Sequence, residues 1–158
     1  MTPPIWTTVR FARRPSVSTI QSDLLVGEYP TVDDIAWLRR THGVTAIVNL
    51  QDHSDLTSKG LQAADLLAAC RRHGMRWHHV PIPDGDLPML RLRLETLLPL
   101  LAALAAAGER TYLHCNAGFN RAPTVAIAHL HVNSGLALDD AVAAVTARRA
   151  CAPYLEAL

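Results

Sequence analysis

From Val44 to Leu50 the chain reads Val-Thr-Ala-Ile-Val-Asn-Leu, a nearly continuous β-branched and apolar run. Such a run has no polar face to offer water, so it reads as a strand covered on both sides. Parallel sheets meet that demand, because each crossover lays a helix against one face. The flanking segments agree. Asp23-Leu24-Leu25-Val26-Gly27-Glu28 is a short apolar run ended by Gly, a second strand. Thr31 can cap a helix through Asp33 to Arg40, with acids first, bases last and Gly43 as the stop. A polar loop through Asp52 and Asp55 leads to a helix from about Ser58 to Arg72, and Met75 to Ile82 is the next strand. Pro81 to Asp86 is a loop; a long apolar helix follows from about Pro88 to Ala107, with Pro99 as a possible kink. Arg110 to His114 is the last strand, and helices over about Arg121 to Asn133 and Leu138 to Arg149 complete the alternation. The expected fold is α/β, a mainly parallel central sheet flanked by helices.

A chain of 158 residues has room for one such domain, assigned to residues 21–158, with residues 1–20 as a Pro-, Thr- and Arg-rich arm of uncertain order. Fifteen basic and 14 acidic residues give a formal charge of +1, which argues against a nucleic-acid or polyanion binder. The most apolar stretch, Leu94 to Ala107, contains Glu95 and Pro99 and falls short of a membrane span. The N-terminus lacks the apolar core of a secretory signal. Three cysteines, Cys70, Cys115 and Cys151, make no disulfide framework and suit a reducing compartment. The expectation is a soluble, cytoplasmic monomer.

The informative segment is His114-Cys115-Asn116-Ala117-Gly118-Phe119-Asn120-Arg121-Ala122-Pro123-Thr124. A phosphate dianion is held by main-chain N–H groups that converge on one point, and a helix N-terminus adds a favourable dipole. Gly118 lets the loop fold back on itself, Asn120 is a residue that tolerates positive φ, and Arg121 supplies a planar two-pronged donor. The same convergence stabilises a thiolate, which makes Cys115 the candidate nucleophile and residues Asn116 to Arg121 the candidate phosphate-binding loop. The spacing alone is unspecific, since Cys70 and Arg76 share it. Context separates the two. Cys70 lies at the negative end of a helix, whereas Cys115 leaves a strand, crosses a glycine-bearing loop and enters a helix with Pro123 in its first turn. Cys70 and Cys151 read as packing residues.

A thiolate attacking a phosphate monoester needs a proton donor for the leaving oxygen, on another loop at the same sheet edge. Asp84 and Asp86 lie on such a loop, after the strand ending at Ile82. Asp84 is the first choice and Asp86 the alternative; a turn with Asp chosen for turn chemistry is the bland reading of both. His114 stands behind the nucleophile, either anchoring the loop or as a satisfied core histidine. His78-His79 and His129-His131 point their members apart, so neither a metal nor another cofactor is expected. Trp37, Trp77, Leu97 and Leu98 read as core, with Trp77 near the active edge.

These residues resemble the cysteine-dependent dual-specificity phosphatases. His114-Cys115, five residues and Arg121 match that family's phosphate-binding signature, and Asp84 stands 31 residues upstream, where its general acid lies. Within the family, the run from His114 to Pro123, the stretch Leu90-Arg91-Leu92-Arg93-Leu94 and the tail from Arg148 to Ala157 resemble the plant glucan phosphatases of the starch-excess and laforin-like type. Phe119-Asn120 replaces an aliphatic-Gly pair of that subgroup, Gly85 stands where an aromatic is common, and no carbohydrate-binding module is recognisable. Ala122, where most dual-specificity enzymes carry a hydroxyl, is shared with the subgroup.

The resemblance implies a phosphomonoester hydrolase working through a cysteinyl-phosphate, with Cys115, Arg121 and Asp84 as its catalytic set. The loop offers no cation besides Arg121, so a phosphoprotein or a phosphoglucan fits better than an inositol polyphosphate. An inactive phosphate-binding scaffold is the alternative of another class, and retention of all three residues speaks against it. A thiol redox protein is poorer still, as no Cys-x-x-Cys pair occurs.

Overall fold

The computed structural model describes residues 13–158. Five strands form one sheet in the order β1-β2-β5-β3-β4. They are β1 (Val17–Gln21), β2 (Leu24–Gly27), β3 (Ala46–Asn49), β4 (Arg76–His79) and β5 (Thr111–His114). The four strands β2, β5, β3 and β4 run parallel, and only β1 is antiparallel, paired with β2. The helices are α1 (Val32–His42), α2 (His53–Ser58), α3 (Ala63–Arg72), α4 (Leu87–Ala106), α5 (Arg121–Val132) and α6 (Leu138–Arg148), and a 3₁₀ turn covers Leu155–Ala157.

Side chains alternate between the two sheet faces, as a strand period of two requires. Leu24, Val26, Ala46, Val48 and Leu113 point to a core shared with Leu90, Leu97, Leu101 and Leu104 of α4, Val125, Ile127 and Leu130 of α5, and Val145 of α6. Leu25, Ile47 and Tyr112 point the other way, to Ile35 and Leu38 of α1 and to Ala69 and Cys70 of α3. Trp37 and Trp77 pack against this second core. α1 starts where Thr31 donates to the Asp34 carboxylate through its main-chain N–H (2.9 Å) and hydroxyl (3.0 Å), and stops at Gly43, whose φ of 66° is the left-handed cap.

The expected α/β architecture is present, with several local corrections. Residues 1–12 of the supposed arm lie outside the described residues, but its last four residues, 17–20, belong to the sheet strand Val17–Gln21. The loop through Asp52 and Asp55 is a helical turn: Asp52 accepts from the Asp55 N–H (2.8 Å), Asp55 accepts from the Asp52 N–H (2.9 Å), and α2 ends at Lys59-Gly60 before α3 begins. The strand expected over Met75 to Ile82 is confined to Arg76–His79. Among the described residues, no helix is long and apolar enough to cross a membrane.

In register, Gly27, His114, Asn49 and His79 line up across the four parallel strands. Their carboxyl ends therefore share one edge, and the loops that follow them all emerge there. Ligands of open α/β sheets bind at that edge.

Candidate active site

Seven residues from two of these loops enclose a pocket of about 50 Å³: Asp84, Cys115, Asn116, Ala117, Phe119, Asn120 and Arg121. The expected nucleophile, phosphate loop and acid thus come together. Asp86 does not; it caps α4, accepting from the Met89 N–H at 3.0 Å. Gly118 turns its back on the pocket with φ +65°, where an added Cβ would lie 2.5 Å from the Gly27 carbonyl oxygen and 2.6 Å from an Arg149 nitrogen. No other residue type fits there. Asn120 needs no positive φ, contrary to expectation; its φ is −117°, and its side-chain amide donates to the Ala152 carbonyl at 2.7 Å.

What shapes the loop is the fate of its carbonyls. Cys115 C=O accepts from His114 Nδ1 (2.9 Å) and Asn116 C=O from the Tyr29 N–H (2.8 Å). Arg149 donates to Ala117 C=O (2.9 Å) and Gly118 C=O (2.6 Å). Phe119 C=O accepts from the Ala152 N–H (2.8 Å) and Asn120 C=O from the Thr124 hydroxyl (2.7 Å). Six consecutive carbonyls are held from outside. In a trans peptide each following N–H points the opposite way, so the amides of the loop turn inward. Among the described residues, no main-chain N–H of residues 116–120 donates to a main-chain carbonyl. Unspent donors converging beside a helix N-terminus bind an anion.

Arg121 opens α5 and is 2% exposed. Its Nη1 donates to Asp55 Oδ2 (2.6 Å) and to the Ile82 carbonyl (2.7 Å), and its Nε lies 3.6 Å from Asp84 Oδ1. Burial opposes the Arg121 charge; the Asp55 bond and the negative charges of Cys115, Asp55 and Asp84 outweigh it and raise its pKa. Asp55 also accepts from Asn116 Nδ2 (2.8 Å), whose own Oδ1 takes a bond from Gln51 Nε2 (2.8 Å). Burial works against the Asp55 carboxylate as well, but Arg121 and the Asp52 N–H hold its pKa below the ordinary carboxylate range. Asp55, Gln51 and Arg149 escaped the reading of the sequence; the pattern Asp52-His53-Ser54-Asp55, a capping box, was the one local signal available.

His114 is fully buried and stacks on Tyr112 with ring centroids 5.6 Å apart. Its Nδ1 must carry the proton, because its partner is a carbonyl. Burial pushes its pKa down to about 4, so it anchors the loop as a neutral ring. A neutral native His against an unfolded value of 6.5 means the unfolded chain binds more protons between pH 6.5 and 4. Stability is complete above that window and is lost as pH falls through it, by about 2–3 kcal/mol from this residue. Urea midpoints at pH 7 and 4.5 should show the loss, and His114→Asn, which keeps a donor for the Cys115 carbonyl, should reduce it. His42, His78 and His129 shift the same way by burial, so the variant isolates one share.

The other cysteines stand apart. Burial pushes the Cys70 thiol up to about 12, in the second core beneath α3. Cys151 is part-buried in the tail, its pKa also raised by burial. Asp84, by contrast, is 55% exposed at its side chain and accepts a 2.8 Å bond from the Tyr154 hydroxyl. A larger cavity of about 630 Å³, lined by residues including His53, Leu56, Leu61, His79 and Pro81, shares no lining residue with the Cys115 pocket.

A family model described as "Dual specificity phosphatase, catalytic domain" matches residues 24–154. The chain is 31% identical over 137 residues to the phosphoglucan phosphatase LSF1, chloroplastic, of Arabidopsis thaliana, covering 86% of this chain and 23% of that protein. It is 34% identical over 142 residues to the phosphoglucan phosphatase DSP4, amyloplastic, of Castanea sativa, covering 88% and 38%. The chain therefore spans between about a quarter and two-fifths of the length of these curated relatives. Among solved structures, the active form of Tk-PTP superposes with a TM-score of 0.76 at 24% identity, over 90% of each chain, a likeness of fold.

Proposed function

Starting from the fact that this chain belongs to the dual-specificity phosphatase family, we propose that it hydrolyses phosphomonoesters through a covalent cysteinyl-phosphate. The observation that carries the reading is the single pocket lined by Cys115, Arg121 and Asp84, with inward-turned loop amides between the first two. The Cys115 thiolate attacks phosphorus while Arg121 and the amides hold the equatorial oxygens, whose charge they balance as it redistributes. The bond from phosphorus to the leaving oxygen breaks, and that oxygen takes the Asp84 proton. The Asp84 carboxylate then removes a proton from water, whose oxygen displaces the Cys115 sulfur from phosphorus. Inorganic phosphate leaves, and thiolate and carboxylic acid are restored.

The test separates the two aspartates. Asp84→Ala should lower kcat on a phosphate ester about 10²–10⁴-fold, most for a poor leaving group. Asp86→Ala should cost helix stability, about 1 kcal/mol by loss of its cap, and little turnover. The reverse pattern would move the acid to Asp86.

A second reading concerns the substrate. The names of two relatives similar over most of this chain favour a phosphorylated glucan over a phosphoprotein. A pocket whose lining holds no cation other than Arg121 suits a lone monoester on either polymer. Phosphate release from phosphorylated amylopectin should exceed release from a phosphotyrosine peptide at equal phosphate concentration. A strong preference for the peptide would return the assignment to a protein phosphatase. Three unpaired cysteines support a reducing compartment for either enzyme.

A further inference from the structure

Asp84 sits on an exposed loop, where a carboxylate ordinarily samples several rotamers. Proton transfer needs it in one, within bonding distance of the leaving oxygen. Two groups face its Oδ1: the Tyr154 hydroxyl at 2.8 Å and Arg121 Nε at 3.6 Å. Among the described residues, Tyr154 supplies the only hydrogen bond to the Asp84 side chain. The carbonyl oxygen of a carboxylic acid is a better acceptor than its hydroxyl oxygen, so a donor held on Oδ1 favours the proton on Oδ2.

We propose that Tyr154 is a positioning residue for the general acid: by holding Oδ1, its hydroxyl fixes the Asp84 rotamer and leaves the transferable proton on Oδ2. This rests on the assignment of Asp84 as the acid. The hydroxyl donates throughout and gives up no proton of its own. Its bond strengthens as the proton leaves Oδ2, because a hydrogen bond to a carboxylate is stronger than one to a carboxylic acid. The gain thus accrues in the transition state of the first step. Burial, with the bond to Asp84 and that carboxylate's charge, pushes the Tyr154 pKa up to about 12, so the donor persists across the working pH range.

The hydroxyl is not what attaches the tail. The Tyr154 N–H donates to the Thr124 hydroxyl (2.8 Å), the Ala152 N–H to the Phe119 carbonyl (2.8 Å), and Arg91 to the Glu156 and Ala157 carbonyls. The Tyr154 ring packs against the larger core. Tyr154→Phe keeps all of these and removes one oxygen. A purely structural role and a role through the acid therefore predict different kinetics.

The experiment is the burst of leaving group in a single turnover, for wild type, Tyr154→Phe, Asp84→Ala and the double variant. It uses an alkyl phosphate, which needs a proton, and dinitrophenyl phosphate, which does not. Tyr154→Phe should slow the burst roughly tenfold on the alkyl ester and less than about twofold on the dinitrophenyl ester. It should add nothing in the Asp84→Ala background. Equal loss on both esters, no loss on either, or an additive double variant would overturn the role of Tyr154 while leaving the acid in place. An Asp84→Ala burst indifferent to the leaving group would remove the acid assignment itself, and the role of Tyr154 with it.

Discussion

Cys115→Ser should reduce turnover by about 10⁴-fold or more while phosphate binding survives. The loop carries the features of an anion site beside Cys115: its amides turn inward, α5 begins within the same seven residues, and Arg121 stands across the pocket. A serine hydroxyl is a weaker nucleophile than a thiol at neutral pH, and among the described residues no imidazole lines the pocket to take its proton. His114, the nearest imidazole in sequence, is fully buried outside the pocket lining, with Nδ1–H on the Cys115 carbonyl and its bare Nε2 without a partner among the described residues. The amides and Arg121 are untouched by the change, so affinity for inorganic phosphate should be retained. Phosphate release and calorimetric binding of phosphate measure the two halves. Turnover above a hundredth of wild type in the serine variant would place the nucleophile elsewhere.

Arg121→Lys should cost about 10³-fold in kcat/KM despite conserving charge. The guanidinium performs three tasks from a side chain that is 2% exposed: it binds Asp55, binds the Ile82 carbonyl at the base of the acid loop, and faces the pocket. A planar fork does this with fixed directions, whereas an ammonium is a point charge that satisfies one direction well. A lysine that stays with Asp55 abandons the phosphate, and one that reaches the phosphate leaves a mostly buried carboxylate without its partner. The second outcome carries a stability loss of about 3 kcal/mol or more. Steady-state kinetics with a thermal melt on the same sample separates the two. A variant within tenfold of wild type would show that the amides alone hold the transferred group.

The parts legible in the sequence are those whose cause is local. β3 and β5 are short strands buried on both faces, and the Cys115 to Arg121 loop carries its glycine, its arginine and its helix start within a few residues. β1 was illegible because Val17-Ser18-Thr19-Ile20-Gln21 is half polar, as befits an antiparallel edge strand with one covered side. α2 has six residues, too few for a helical period to register. Asp55 lies 66 positions from the guanidinium it pairs with, and Tyr154 lies 70 from the carboxylate it holds. No window along the chain contains such a pair. The role of Asn120 was hidden for the same reason, since its side-chain amide reaches the tail at Ala152, 32 positions away.

The outward grip on the loop carbonyls also bears on where this domain ends. Arg149, 8% exposed, donates to the carbonyls of Ala117, Gly118 and Val26 and to the hydroxyls of Ser16 and Ser18. Two of those five acceptors precede residue 24, where the family likeness begins. A chain trimmed to residues 24–154 would keep every group that lines the Cys115 pocket and still lose part of what seats Arg149. A truncation, tag or fusion that removes Ser16 and Ser18 should therefore loosen Arg149 and, through it, the carbonyls of Ala117 and Gly118, and lower the melting temperature.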